Sequence, residues 1–281
     1  MIQKILKKLK KRRKKFQSHP LINGNANGAL FRYIKFNVIQ TIRPKDRVYK
    51  WIHGLKFYAK KGDAGIVSNI YIKLADYEDS MFVMQHLDEN DLFVDIGANV
   101  GHFSLLASGV SKARTIAIEP IPNTYQKLLR NIKLNALEEK VRCLNIGLGE
   151  ETGELKFTKG FDVMNRVALE NENIPTISVP IEKLDDVLKN ETPTFLKIDV
   201  EGFEFFVLKG ATETLQKPSL KYILLEFNNS GDKFGITDAQ VFEFVTSFGF
   251  KPISYDVAEE KIALESSFRT DKFNTIFMRE S

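Results

Sequence analysis

The residues with the clearest chemical potential lie in three short blocks. The first is Asp95-Ile96-Gly97-Ala98-Asn99-Val100-Gly101, at the end of the apolar run LFVDI. Glycines at a strand–helix turn let the backbone bend tightly and approach a ligand closely. The second block, TIAIEP, ends in Glu119, twenty-four residues after Asp95. An acid there can accept hydrogen bonds from both hydroxyls of a nucleoside ribose. The third block is Lys197-Ile198-Asp199-Val200-Glu201-Gly202-Phe203-Glu204. Period-two alternation puts Lys197, Asp199 and Glu201 on one side, where two carboxylates beside a lysine can bind and deprotonate a hydroxyl or hold a divalent cation. The bland reading of the same block is a structural Lys197–Asp199 pair and an acid at a helix start, where it suits the dipole. Glu226 and Asn228 follow a further apolar run and are similarly placed, and His102 directly follows the glycine turn. His19, His53 and His86 show no metal-ligand spacing, and no metal ligand is assigned.

These blocks need a frame that brings strand ends together. LFVDI, TIAIEP, VRCLNIGL, FLKIDV and YILLEFN are apolar runs of strand length, with helical patterns between most of them, such as Tyr125, Leu128, Leu129 and Ile132. This alternation predicts an α/β domain with a mostly parallel sheet and helices on both faces. ISYD and NTIFMR add an antiparallel edge. Ligands of such sheets bind beyond the C-terminal strand ends, where strand order reverses.

Charge decides between nucleoside cofactors. A dinucleotide fingerprint wants G-x-G-x-x-G, and the middle glycine position here is Asn99. A pyrophosphate beside Asp95 would meet like charge. S-adenosylmethionine carries an ammonium and a sulfonium and no phosphate, so it is the expected cofactor, and an NAD-dependent oxidoreductase is disfavoured.

VDIGANVGHFS, AIEPIPNTYQKLLRNIKLN and FLKIDVEGFEFFVLKGA together resemble the FkbM-type methyltransferases, over about Asp91 to Arg279. The resemblance implies a Rossmann-like class I methyltransferase with a seven-stranded sheet and a reversed last strand. It implies O-methylation of a hydroxyl on a glycan, glycolipid or secondary metabolite. The implied cofactor positions are Asp95, Gly97, Asn99, Gly101 and Glu119, with Asn145 and Gly147 beside the adenine. Asp199, Glu201 and Lys197 are the candidate catalytic residues. The alternatives are a nucleic-acid methyltransferase and a non-enzymatic adaptor at a membrane surface. The first is disfavoured because IDVEG stands where base-methylating enzymes commonly carry an Asn-Pro-Pro-Tyr-like turn.

Composition sets the remaining bounds. A chain of 281 residues, 43% hydrophobic, can bury a full core. It has no apolar run of membrane-spanning length and no secretory leader pattern. Its single cysteine, Cys143, allows no intrachain disulfide and reads as a small hydrophobe in a buried strand, consistent with a cytoplasmic setting. Residues 1–17 hold nine basic residues and no acid, so the formal charge of +5 leaves −4 after Gln17. In that tail Ile2, Ile5, Leu6, Leu9, Arg13 and Phe16 fall at helical spacing. It reads as a basic amphipathic helix able to lie on an anionic membrane surface, against the plainer reading of a solvated tail or a nucleic-acid arm. Residues 18–30 read as a linker, and 31–88 as a small lead-in element with strand-like VYKWI, LKFYAK and NIYIKL and a helix near Asp79–Leu87. The methyltransferase domain is expected over 89–281.

Overall fold

A computed structural model describes residues 2–158, 166–169 and 174–280. Residues 2–85 form helix α1 (Ile2–Gln17), α2 (Ala26–Ile42), the antiparallel pair β1 (Arg47–Lys50) and β2 (Lys56–Ala59), α3 (Ala64–Ile72) and α4 (Tyr77–Gln85). Next come β3 (Leu92–Ile96), α5 (His102–Gly109), β4 (Arg114–Ile118), α6 (Pro122–Leu134) and β5 (Val141–Leu144). Strands β6 (Gly147–Leu148), β7 (Gly153–Thr158) and β8 (Thr176–Glu182) make a separate small sheet in the order β6-β8-β7. The chain continues through α7 (Leu184–Val187), β9 (Phe195–Ile198), α8 (Glu204–Lys209), α9 (Thr212–Gln216), β10 (Tyr222–Glu226) and α10 (Asp238–Ser247). It closes with β11 (Phe250–Asp256), β12 (Lys261–Leu264) and β13 (Asn274–Arg279).

The central sheet has the order β12-β11-β13-β10-β9-β3-β4-β5. Strands β5, β4, β3, β9 and β10 are parallel, and β13 runs antiparallel to β10. This is the mostly parallel sheet expected from the alternating runs and the Rossmann-like layout that the family resemblance implies. It has eight strands rather than seven, because part of the polar connection before β13 folds back as β12 along β11. Strand order reverses between β3 and β9, so the ends of β3, β4 and β9 converge there.

Alternation sorts the strand side chains cleanly. Leu92, Val94, Ile96, Leu196, Ile198, Ile223 and Leu225 share one apolar layer with Val207 and Leu208 of α8 and Val241 and Val245 of α10. Phe93, Phe195 and Leu224 face the other way, onto Phe82 of α4 and Phe103 and Ala107 of α5. Asp95 and Lys197 occupy that second face one step further along, in register with each other.

The lead-in departs most from expectation. NIYIKL lies in and just after helix α3 rather than in a strand, because the apolar residues recur as 66/67, 70/71 and 74, with Ile66, Val67, Tyr71 and Leu74 buried. The stretch 18–30 contains a single helical turn (Pro20–Ile22) and the start of α2, which Asn25 caps by accepting from Gly28 N–H. Helix α2 is hard to see in the sequence because its outer face is apolar as well. Cys143 is half-buried rather than fully enclosed.

One apolar cluster runs from Phe16 through Phe36, Trp51, Phe57 and Tyr71 to Leu105, Leu128 and Val141. It therefore crosses both sequence-expected boundaries, at 17/18 and 88/89. The C-terminal end of α1 is docked by Phe16, whose ring meets Tyr33 and Tyr71 at 6.3 and 6.2 Å. Phe16→Ala is expected to cost about 3 kcal/mol in urea unfolding. Leu6→Ser, at an exposed position of the same helix, should change stability by less than about 0.5 kcal/mol.

Candidate active site

A cavity of about 180 Å³ opens beyond the C-terminal ends of β3, β4 and β9. Of the ten sequence-predicted site residues, Gly97, Asn99, Glu119, Gly147, Lys197, Asp199 and Glu201 line it. Asp95, Gly101 and Asn145 do not; they lie behind the wall and hold it.

The floor is the turn after β3. Gly97 has φ +74, and a Cβ there would lie 1.9 Å from the Asp199 carbonyl oxygen, so only glycine fits between the β3 and β9 ends. Asn99 takes φ +51, a left-handed conformation that asparagine tolerates better than most residues. This is how the turn closes without the middle glycine of a dinucleotide loop.

Asp95 is buried, with 1% of its side chain exposed. Its Oδ2 accepts from Ser104 N–H at 3.0 Å and from the Ser104 hydroxyl at 2.6 Å, fixing the first turn of α5. Its Oδ1 faces Lys197 Nζ at 3.5 Å. The same ammonium lies 3.1 Å from Asp199 Oδ2 and donates to the Gly97 carbonyl at 3.1 Å. Burial alone would lower the Lys197 pKa, but Asp199 and Asp95 outweigh it and raise it above the usual lysine range. Lys197 therefore stays charged.

On the opposite wall, both Glu119 oxygens accept backbone donors, Oε2 from Asn99 N–H at 3.0 Å and Oε1 from Ile121 N–H at 2.9 Å. Burial raises its pKa to about 7. The Asn145 amide donates to the carbonyls of Glu119 and Pro120, at 2.8 and 3.0 Å, so it shapes the turn that presents Glu119. Ile118, Ile121, Ile146, Leu148 and Phe157 make an apolar slot next to it. Gly147 keeps that slot open, since a Cβ there would meet Ile181 Cδ1 at 2.5 Å and Phe157 at 3.3 Å.

Asp76, Asp199 and Glu201 form an acidic rim. Strand β9 ends at Ile198, so Glu201 reaches the cavity by a left-handed turn (φ +56) rather than by strand alternation. Burial and then Asp199 raise its pKa. Glu204 pins that turn: its buried carboxylate accepts from Val200 and Gly202 N–H at 3.0 and 3.1 Å. Glu226 stands further back, with Oε2 buried and unpaired among the described residues, and burial raises its pKa to about 8. Asn228 accepts from Ser230 N–H and serves its own loop. Among the described residues, no three His, Cys, Asp or Glu side chains converge as a metal-binding group.

His102 lines the cavity but is fully engaged. Its Nδ1 lies 3.0 Å from the Asn69 amide nitrogen and its Nε2 2.9 Å from the Ser80 hydroxyl, which itself donates to the Ala75 carbonyl. That chain of donors assigns the proton to Nε2. Burial, then Lys197, lowers its pKa to about 3. It is a neutral clamp between the lead-in and α5, not a base.

Sequence reasoning missed Asp76, the Asn69–His102–Ser80 clamp and the pinning role of Glu204. Only Glu204 left a readable signal, an acid that ends the block and opens the next helix. Residues 159–165 and 170–173, between β7 and β8, lie outside the described residues.

Two outcomes follow for this geometry. Gly97→Ala should destabilise the protein by at least about 2 kcal/mol in thermal or urea unfolding, from the collision and the strained φ together. Gly153→Ala, with open space around its Cβ, should stay within about 0.5 kcal/mol of the parent. His102 binds a proton below about 6.5 when unfolded but only near 3 when folded. Its contribution to stability therefore falls as pH drops through that window. The stability gap between the parent and His102→Gln should narrow on going from pH 7 to pH 4, by up to about 1.4 kcal/mol per unit.

Comparison with known proteins gives the family. The chain is 30% identical over 159 residues to the hexuronic acid methyltransferase AglP of Haloferax volcanii, covering 55% of this chain and 63% of that protein. It is 30% identical over 172 residues to the methyltransferase sdnD of Sordaria araneosa, covering 49% and 66%. It is 28% identical over 158 residues to methyltransferase 1 of Beauveria bassiana, covering 47% and 63%. The chain thus spans a little under two-thirds of the length of these relatives. Residues 95–252, from the Asp95 that anchors α5 to the middle of β11, match the family described as the methyltransferase FkbM domain. That match extends over more than half of the sequence, and the chain belongs to this family.

Proposed function

We propose that the protein transfers a methyl group from S-adenosylmethionine to a hydroxyl of a glycan, glycolipid or small metabolite. The observation that carries this reading is the composition of the cavity: an apolar slot beside Glu119, opening onto a rim of Asp76, Asp199 and Glu201. An adenosine moiety fits that slot, with the two ribose hydroxyls donating to the Glu119 carboxylate already held by Asn99 and Ile121. The carboxylates favour a ligand bearing an ammonium and a sulfonium and disfavour one bearing phosphates. When bound, S-adenosylmethionine supplies a methyl carbon already activated towards nucleophiles.

The protein's own tasks are alignment, exclusion of water and management of one proton. Asp199 and Glu201 face the place an acceptor would enter, and either carboxylate can take the hydroxyl proton. Lys197 is a positioning residue, since its proton is held by two carboxylates and it fastens the β3 and β9 ends together. The rim is acidic, so a neutral polyol suits it better than an anionic sugar. A sugar-like acceptor is in keeping with the relative named as a hexuronic acid methyltransferase, although that relative's acceptor is an acid and the rim here suits a neutral one. The basic helix α1 adds a location, an anionic membrane surface.

S-adenosylhomocysteine should bind in calorimetry, and its affinity should rise as pH passes upward through about 7, where Glu119 ionises. Glu119→Gln should weaken binding about tenfold and flatten that pH dependence. Asp199→Asn combined with Glu201→Gln should lower transfer of labelled methyl to a panel of neutral sugars by at least about a hundredfold, with a smaller loss of S-adenosylhomocysteine binding, for which Glu119 and Asp76 remain. Absence of any S-adenosylhomocysteine binding sinks the reading.

A further inference from the structure

Helix α2 carries an apolar stripe that the protein leaves uncovered. Phe31, Ile34, Val38 and Ile42 are 65%, 38%, 51% and 71% exposed. They recur at i, i+3, i+7 and i+11, a single face of a helix. Ala26, Ala29, Phe36 and Gln40 are buried, on the side turned towards the core. At 100° per residue the two sets lie nearly opposite, so the stripe points straight away from the protein.

Helix α1 runs beside this stripe. Arg13 Nε donates to Asn27 Oδ1 at 2.7 Å, and Arg12 stacks over the Tyr33 ring at 4.2 Å. Asn27 lies four residues before Phe31 and seven before Ile34, so Arg13 is held one turn before the stripe on the same helix face. The basic side chains at positions 7, 8 and 10–15 of α1 are all exposed. Lys35, Arg43 and Lys45 are exposed on and just beyond α2. Over residues 1–45 there are thirteen basic residues and no acid, so residues 46–281 carry −8 against the whole-chain +5.

We infer that α1 and α2 together form one seat for an anionic lipid bilayer, with the α2 stripe entering the headgroup–acyl boundary and α1 meeting the lipid charge. This deepens the membrane part of the reading above and uses none of the residues of the cavity. A contiguous exposed apolar row is uncommon on a freely soluble surface, and a border of one charge sign selects a partner of the other sign. The four stripe residues offer no hydrogen-bond donor or acceptor to nucleic-acid bases or phosphates, which favours lipid over RNA or DNA. No helix among the described residues is long and apolar enough to cross a membrane, so α2 lies in the surface rather than through it. The buried side of α2 packs through Phe36 on Tyr71 of α3, at 5.7 Å. Helix α3 in turn gives Gly65 to the cavity wall, and the loop after it gives Asp76. The bilayer seat and the cavity are thus carried by one packed unit.

Flotation of the full chain with phosphatidylcholine vesicles, with and without phosphatidylglycerol, tests this at about 0.15 M salt. The parent should float only with the anionic vesicles. The quadruple variant Phe31→Ser, Ile34→Ser, Val38→Ser, Ile42→Ser should bind at least about tenfold more weakly. What binding it keeps should vanish at about 0.5 M salt. Phe31→Trp should show a blue-shifted emission on vesicle addition and quenching by brominated lipid. Unchanged flotation of the quadruple variant, or no flotation of the parent with anionic vesicles, overturns the proposal. So does displacement of the parent from vesicles by single-stranded RNA with no fluorescence shift of the Phe31→Trp variant. S-adenosylhomocysteine binding is measured on the same samples: retained cofactor binding without flotation removes the membrane seat alone. Flotation without cofactor binding removes methyl transfer alone.

Discussion

The cavity depends on a single buried ammonium. Lys197 stands between the carboxylates of Asp95 and Asp199 and also reaches the Gly97 carbonyl. Lysine and Asp95 are nearly inaccessible while Asp199 is 41% exposed. The cluster is therefore a gradient from a sealed pair to a wet one. Buried ion pairs add little net stability, but removing one member leaves an uncompensated charge. Here the arrangement ties β3, β9 and the glycine turn into one piece, and it carries a net negative charge towards the opening. A ligand bearing positive charge completes that balance, whereas one bearing phosphate worsens it.

Around that core, each wall of the site is positioned by a carboxylate or amide that reaches back to backbone. Glu119 receives the N–H groups of Asn99 and Ile121, Glu204 those of Val200 and Gly202, and Asn145 donates to the carbonyls of Glu119 and Pro120. Loops at the ends of parallel strands have unpaired backbone groups, and these side chains satisfy them while leaving the cavity-facing surface free. The result is a site whose shape is set before any ligand arrives, which is what alignment-driven transfer requires.

Much of this was readable in the sequence. The five parallel strands are nearly uninterrupted apolar runs, the pattern that double-sided burial imposes. DIGAN, the Glu119 strand end and KIDVEGFE name about half of the cavity wall. What stayed hidden has a physical reason in each case. Asp95 reads as a ligand because it ends a strand, but pleating turns it onto the α5 face, where Ser104 claims it. His102 follows the glycine turn in the sequence, but nothing there shows that Asn69 and Ser80, distant along the chain, occupy both of its nitrogens. Helix α2 escaped because periodicity detects contrast between faces, and a helix with apolar residues on both sides shows little. Strand β12 is four residues long and mostly exposed, which leaves only pairing with β11 to define it.

The position of β9 in the sheet has a consequence for how the protein comes into being. Strands β3, β4 and β5 are contiguous in the chain and can pair as soon as they leave the ribosome, bringing Glu119 and the glycine turn together. Yet β3 has its other edge open until β9 arrives, and the contact from Lys197 to Gly97 spans 100 positions. Closing so long a loop is slow relative to local pairing. Until β9 is made, β3 has no partner along that edge. The lead-in, already made, packs against α5 and α6 and covers the neighbouring apolar surface. The N-terminal helices are thus made before the sheet whose flank they cover in the finished fold.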